Sequence, residues 1–271
     1  MKGRVLIAAG SDSGGGAGIQ ADIKAVAALG GYAATAVTAL TAQNTLGVQG
    51  VVPVAPDFIR LQMRLVLEDI GADALKTGML HDAPTIDAVC GEIEALAPGV
   101  PLVADPVMVA KGGHRLLEPA AVDALTRRLL PLAAVLTPNL PEAEALTGIE
   151  VRDEAGMERA AEMLLALGAR AVLLKGGHLP GGRVVDLLAM PQGTERFEDA
   201  RIETRHTHGT GCTLASAVAA GLAQGAALRD AVARARLYVR AAIAAAPGYG
   251  KGHGPLDHGV TFDPERLPTS A

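Results

Sequence analysis

The stretch RVLIAAGSDSGGGAGIQADIKAVAALG, residues 4–30, runs from a short apolar segment of strand length through a glycine-rich turn into a segment of helical period. An apolar run bounded by glycines reads as a buried strand, and apolar residues returning every three to four positions read as an amphipathic helix. Together they form the opening βα unit of a parallel sheet. The three successive glycines between Ser13 and Ala17 further point to a backbone that a ligand approaches closely.

The same alternation continues outward along the chain. GVVPVA (50–55) precedes PDFIRLQMRLVLEDIG (56–71), DALKTGM (73–79) precedes APTIDAVCGEIEALA (83–97), and PLVADPV (101–107) precedes EPAAVDALTRRLLP (118–131). AAVLTPN (133–139) leads into PEAEALTG (141–148), and ARAVLLKGG (169–177) follows MERAAEMLLALG (157–168). Repeated βα units predict one doubly wound α/β sheet covered by helices on both faces. Between Gly176 and Arg205 two short strand-like runs flank PQGT with no room for a crossover helix, which predicts an antiparallel hairpin at the sheet edge. Two helices follow, over 209–225 and 228–246, and then an irregular Gly/Pro/His-rich tail, 247–271. No repeat or linker divides the sequence, so one domain spanning 1–271 is expected.

Composition narrows the function. Hydrophobic residues make up 49% of the 271 residues and charged residues 20%, which excludes a disordered chain. A net charge of −5 lacks the basic footprint of a nucleic-acid binder. The apolar run near the N-terminus is too short for a membrane span and has no signal-peptide pattern, so a cytoplasmic protein with no membrane partner is expected. Cys90 and Cys212 are the only cysteines, too few and too far apart for a disulfide framework or a cysteine zinc site. Cys90 falls where helical periodicity buries it. The seven histidines lack metal-ligand spacing.

Polar residues recur where the strands end: Gly10, Lys76, Asp105, Asn139 and Lys175. Ligands of open parallel sheets bind outside the carboxyl ends of the strands, which makes these residues the candidates to line a crevice. Gly16, Gly18 and Ala21 fit a dinucleotide-binding G-x-G-x-x-A, but the next acid after Asp22 is Asp57, too distant for the ribose contact. No Walker-type P-loop occurs. HGTGCTLASA (208–217) offers backbone N–H groups at a helix start, where Gly209 and Gly211 allow a turn and the helix dipole favours an anion. The alternative is a packing turn. Asn139 and Glu142 suit either a helix cap or a magnesium site shared with Asp105. Lys175 and Lys76 suit either a polyphosphate or solvent.

The ordered set AGSDSGGGAGIQADIKA, TALTAQNTLGV, KTGML, DPVMVAKGGHRLL, LTPNLPEAEALTG, LLKGGH and HGTGCTLASA, spanning residues 9–217, resembles the ribokinase-like kinases. It is most similar to the branch of hydroxymethylpyrimidine/phosphomethylpyrimidine kinases of thiamine biosynthesis. The resemblance implies a three-layer α/β/α fold, ATP with Mg²⁺, and phosphorylation of a hydroxymethylpyrimidine and then of its monophosphate. It assigns Gln43 and Asp22 to hydrogen bonds with the aminopyrimidine, and Gly10, Met79 and Val107 to its pocket. Asp105 and Glu142, with Asn139, would organise Mg²⁺, through water, and the phosphates. Lys175 would neutralise phosphate charge, and Gly209, Thr210, Gly211 and Cys212 would form the anion hole. VMVAKGGHRLL would be a flap carrying Lys111 to the phosphates. A homo-oligomer, a dimer, is the assembly expected.

Sugar kinases of this superfamily resemble G-A-G-D at the anion turn, with an aspartate as base, whereas this chain has Gly209-Thr210-Gly211-Cys212. Cysteine is the residue expected there in the pyrimidine-kinase branch. A thiol at a helix start is expected to have a lowered pKa and to take the hydroxyl proton as thiolate. The competing readings are a pyridoxal kinase of the same superfamily, a non-catalytic ATP or metabolite sensor on the same fold, and an NAD-dependent oxidoreductase, against which the missing ribose acid argues.

Overall fold

The computed structural model describes residues 3–110 and 113–262. In chain order the elements are β1 (Arg4–Asp12), α1 (Gly18–Ala28), β2 (Tyr32–Asn44), β3 (Gly47–Pro53), α2 (Pro56–Asp69), β4 (Ala74–Thr77) and α3 (Ala83–Leu96). Then come β5 (Leu102–Ala104), α4 (Ala121–Ala124), β6 (Ala133–Leu136), α5 (Leu140–Thr147), α6 (Glu154–Ala166) and β7 (Val172–Lys175). The last are β8 (Arg183–Met190), β9 (Gly193–Ala200), α7 (Thr210–Ala223) and α8 (Leu228–Ala244).

The strands form one nine-stranded sheet in the order β3-β2-β1-β4-β5-β6-β7-β8-β9. The six strands β2-β1-β4-β5-β6-β7 pair in parallel, and β7, β8 and β9 pair antiparallel. The hairpin expected over 176–205 is β8–β9. A second hairpin closes the other edge, because GVVPVA runs antiparallel to β2 instead of joining the parallel set. Its partner β2, YAATAVTALTAQN, is rich in alanine and threonine and carries no compact aliphatic run, so periodicity alone passes over it.

Alternate residues of each central strand feed two cores, as the period of two dictates. Leu6 and Ala8 of β1 face one core with Ile59 and Met63 of α2, Ile86 and Val89 of α3, and Met157 of α6. Val5, Ile7 and Ala9 face the other with Val26 of α1, Val218 of α7 and Val232 of α8. The result is three layers, helix on sheet on helix. Cys90 lies in the first core, fully buried, and burial pushes its thiol up to about 12.

From β1 the chain crosses to β2 on one side and returns through β3 and α2 to β4 on the other. The order reverses at β1/β4, and a ligand crevice opens beyond the carboxyl ends of such strands.

Candidate active site

A cavity of about 810 Å³ occupies that crevice, and Gly10, Lys76, Asp105, Asn139 and Lys175 all border it. Five residues from five different strand ends meet there because parallel strands deliver their carboxyl ends to one side. Gln43, Met79, Val107, Glu142 and the turn Gly209–Cys212 border it as well.

At one end the cavity is small and apolar. Gly10 ends against Met79, where an added Cβ would lie 3.0 Å from the Met79 sulfur, so glycine lets the methionine close on the strand. Gln43 has its main chain fixed by Ser13, whose hydroxyl donates to the Gln43 carbonyl and accepts from its N–H at 2.9 Å each. Val107 opens a hairpin in which Val109 bridges Arg115 and the Ala110 N–H donates to the His114 carbonyl at 2.8 Å. Lys111, expected to reach the phosphates from this flap, lies outside the described residues.

Asp22 does not join this end. Its side chain is fully buried, accepts from Lys76 Nζ and from the Ser216 hydroxyl at 2.7 Å, and does not border the cavity. Four residues into α1 from Gly18, it sits on the helix face turned to the core, so the expected bond to an aminopyrimidine is replaced by an anchor for Lys76. Lys76 is correspondingly not a solvated lysine. Burial works against its charge, but the Asp22 carboxylate outweighs burial and holds the ammonium above its ordinary pKa.

The polar end is built on Lys175. Its Nζ donates to Asp105 at 3.0 Å, and Thr137 donates to the same Asp105 oxygen at 3.1 Å. Asn139 and Glu142 form a reciprocal capping box at the start of α5, with bonds of 2.8 and 2.9 Å. The cap does not remove Glu142 from the cavity, so one residue does both jobs. Burial pushes its carboxyl up to about 7, with Lys175 opposing and Asp105 adding to the rise.

Gly209 caps α7 with φ +85°, a left-handed conformation, and a Cβ there would collide with the Gly16 carbonyl. No side chain caps the helix; the Thr210 N–H turns back to the Thr207 carbonyl at 3.3 Å, which leaves Gly211 and Cys212 as the helix-start residues of the anion turn beside the cavity. Thr210 spends its hydroxyl on the Thr207 carbonyl at 2.8 Å. At Gly211 a Cβ would lie only 3.2 Å from Lys175 Nζ, so the missing side chain lets the ammonium lie against the helix start. A cation held against a helix N-terminus is an arrangement that favours an anion.

Cys212 borders the same pocket, but it is not the acidic thiol that its helix position predicts. Burial pushes it up to about 12 despite the nearby Lys76 ammonium and a hydrogen bond from the Gly18 N–H. Desolvation of the thiolate outweighs the dipole, and the resting group is a thiol.

The cavity continues past Gly177 to an apolar wall of Ile202, Val239 and Ile243, from the loop after β9 and from α8, which no sequence motif announces. The tail is irregular, yet it packs behind the anion turn: the His208 N–H donates to the Gly254 carbonyl at 3.1 Å, and His258 lies 2.9 Å from the Thr213 hydroxyl. Burial lowers the His258 pKa to about 4. Among the described residues no three His, Cys, Asp or Glu side chains gather as a metal cage, and no helix is long and apolar enough to cross a membrane.

A three-layer sheet with a lysine, two carboxylates and an open helix start beside an apolar recess defines a small-molecule kinase of the ribokinase-like class. The profile of the family described as phosphomethylpyrimidine kinase matches residues 12–257. The chain belongs to that family.

Among its relatives, a Streptomyces coelicolor hydroxymethylpyrimidine/phosphomethylpyrimidine kinase is 50% identical, over 94% of each chain. The thiamine biosynthesis bifunctional protein ThiED of Geobacter sulfurreducens is 53% identical over 95% of this chain, which spans only 52% of that longer protein. Of solved structures, an ADP complex of Bacillus subtilis pyridoxal kinase superposes with a TM-score of 0.89 at 39% identity, covering 99% of this chain and 100% of that one. A Clostridium difficile phosphomethylpyrimidine kinase superposes at 0.78 with 40% identity, over 88% of this chain and 98% of that one.

Proposed function

We propose that the protein transfers the γ-phosphoryl group of ATP to 4-amino-5-hydroxymethyl-2-methylpyrimidine and then to the resulting monophosphate, yielding the diphosphate used in thiamine biosynthesis. The observation that carries this reading is that Lys175, lying against the Gly211 helix start, borders the same cavity as Gly10, Gln43 and Met79. A phosphate donor and a small heterocycle then have adjoining places. Family membership supplies the substrate class.

In this reading Gln43 offers both a donor and an acceptor to the aminopyrimidine, and Gly10, Met79 and Val107 enclose the ring. Lys175 and the N–H groups of Gly209, Gly211 and Cys212 stabilise the charge that spreads over the transferred phosphoryl oxygens, whereas the Thr210 N–H, expected to join them, is taken by the Thr207 carbonyl. Cys212 faces the acceptor hydroxyl and takes its proton in the deprotonated form, a minor population given its raised pKa. The oxygens of Asp105 and Glu142 suit a hydrated Mg²⁺, which prefers carboxylates, water and phosphates to an all-protein cage. When bound, that ion neutralises phosphate charge. Asn139 positions Glu142 through the capping box.

The chain acts as one kinase domain in the cytoplasm, and a homodimer is its proposed assembly, which light scattering checks. The pyridoxal kinase reading draws on the 0.89 superposition with the Bacillus subtilis enzyme. Incubating the protein with Mg-ATP and, separately, the pyrimidine alcohol, its monophosphate and pyridoxal tests the choice. Turnover of both pyrimidines supports the proposal, and failure on the monophosphate removes its second step.

A further inference from the structure

One buried carboxylate joins the two glycine-rich loops of the site. Asp12, at the end of β1 and 1% exposed, accepts four hydrogen bonds: from the N–H groups of Gly14 at 2.7 Å, Gly16 at 3.0 Å and Ala17 at 2.8 Å, and from His208 Nε2 at 2.9 Å. An ionised carboxylate only accepts, so the imidazole donates from Nε2. Burial works against the charge on Asp12, and the bonds from His208 and the loop N–H groups outweigh it, leaving the carboxyl below its ordinary range. His208 immediately precedes Gly209.

The two loops touch closely where this bond joins them. A Cβ on Gly16 would lie 2.6 Å from the His208 ring, and one on Gly209 would collide with the Gly16 carbonyl. The loop that Asp12 gathers continues to Gly18, whose N–H donates to Cys212. Behind His208 the chain is held by Gly254 of the tail. The Asp12–His208 bond is therefore a side-chain link between the turn beside the ring pocket and the phosphate turn, beside the weaker Gly18 N–H to Cys212 contact.

We infer that Asp12 and His208 are positioning residues that latch these two turns together and so set the distance between the acceptor hydroxyl and the phosphoryl group. The inference rests on the kinase reading above. Each substrate occupies its own turn, so loosening the latch leaves the separate affinities nearly intact and lowers the rate of transfer. A displacement of about 1 Å between reacting groups costs up to about 100-fold in rate.

The test compares Asp12→Asn, His208→Ala, His208→Gln and the Asp12→Asn/His208→Ala double variant with the wild type, at equal concentrations of folded protein. Glutamine places an amide donor near the position of Nε2. The expected result is a kcat about 10- to 100-fold lower for Asp12→Asn and His208→Ala, KM for each substrate within about threefold, and a His208→Gln variant within about threefold of wild type. The double variant falls no lower than the worse single one, because both remove the same link.

Wild-type kcat in either single variant, multiplied losses in the double, or a His208→Gln variant as impaired as His208→Ala would overturn the latch. Amide hydrogen exchange reads the same link without turnover. Exchange in 13–17 and 207–211 should accelerate together in His208→Ala and not in His208→Gln, and unchanged exchange overturns the latch even if no pyrimidine is phosphorylated. A wild type inactive on every pyrimidine would instead remove the substrate reading.

Discussion

Lys76 Nζ lies 2.9 Å from both carboxylate oxygens of Asp22, and neither side chain is exposed. The pair ties β4 to α1, and Ser216 of α7 adds a third element through its bond to the same carboxylate. Removing one partner leaves an uncompensated charge in the core. Lys76→Met and Asp22→Asn should each cost about 3–5 kcal/mol in urea unfolding, and the double variant should cost less than their sum. Strict additivity would contradict the pairing.

Glu142 should set the acid limb of activity. Its carboxyl titrates at about 7 because of burial, so kcat/KM should rise with pH through that value as the carboxylate needed beside the phosphates forms. Glu142→Gln should lose that limb along with most activity. Stability runs the other way. A folded-state pKa above the ordinary 4.5 means the folded protein binds the extra proton, so this contribution is full below about 4.5 and lost as pH rises through 7. Urea titrations at pH 5 and pH 8 should show a larger drop for wild type than for Glu142→Gln.

Cys212, pushed up to about 12 by burial, should react slowly with iodoacetamide at neutral pH. Its deprotonated fraction grows with pH, so kcat should keep climbing above pH 8. Cys212→Ala should lower kcat by about 10²- to 10⁴-fold and remove the climb, with pyrimidine affinity changed less. Full activity in that variant would remove the proton-acceptor role.

Two glycines with nearly the same φ make a controlled pair. Gly225, at φ +84°, has open space around it, and Gly209, at φ +85°, faces the Gly16 carbonyl. Gly225→Ala should cost only the backbone penalty of about 1–2 kcal/mol, and Gly209→Ala should cost more and lose turnover as well. Urea unfolding and kcat on both variants check this.

The residues that the sequence exposes best are those fixed by topology. Parallel strands bring their carboxyl ends together, so Gly10, Asp105 and Lys175 could be assigned to one crevice from their places at strand ends. Strand β2 was not legible, because its alanines and threonines acquire strand character from neighbours on both sides rather than from their own propensity. The resemblance assigned Asp22 to the ligand, but its partner Lys76 is 54 residues away and both side chains lie buried in the core. The helix position of Cys212 was readable, and the desolvation that outweighs the dipole was not. Asp12 and His208 are 196 residues apart, and no local pattern announces their bond.

The most direct test of the central claim follows the phosphorus products of the pyrimidine alcohol and Mg-ATP by ³¹P NMR. A monophosphate should appear first and then be converted to the diphosphate by the same protein, with pyridoxal a poorer acceptor. A monophosphate that accumulates unchanged, or pyridoxal as the preferred acceptor, would overturn the two-step pyrimidine kinase assignment.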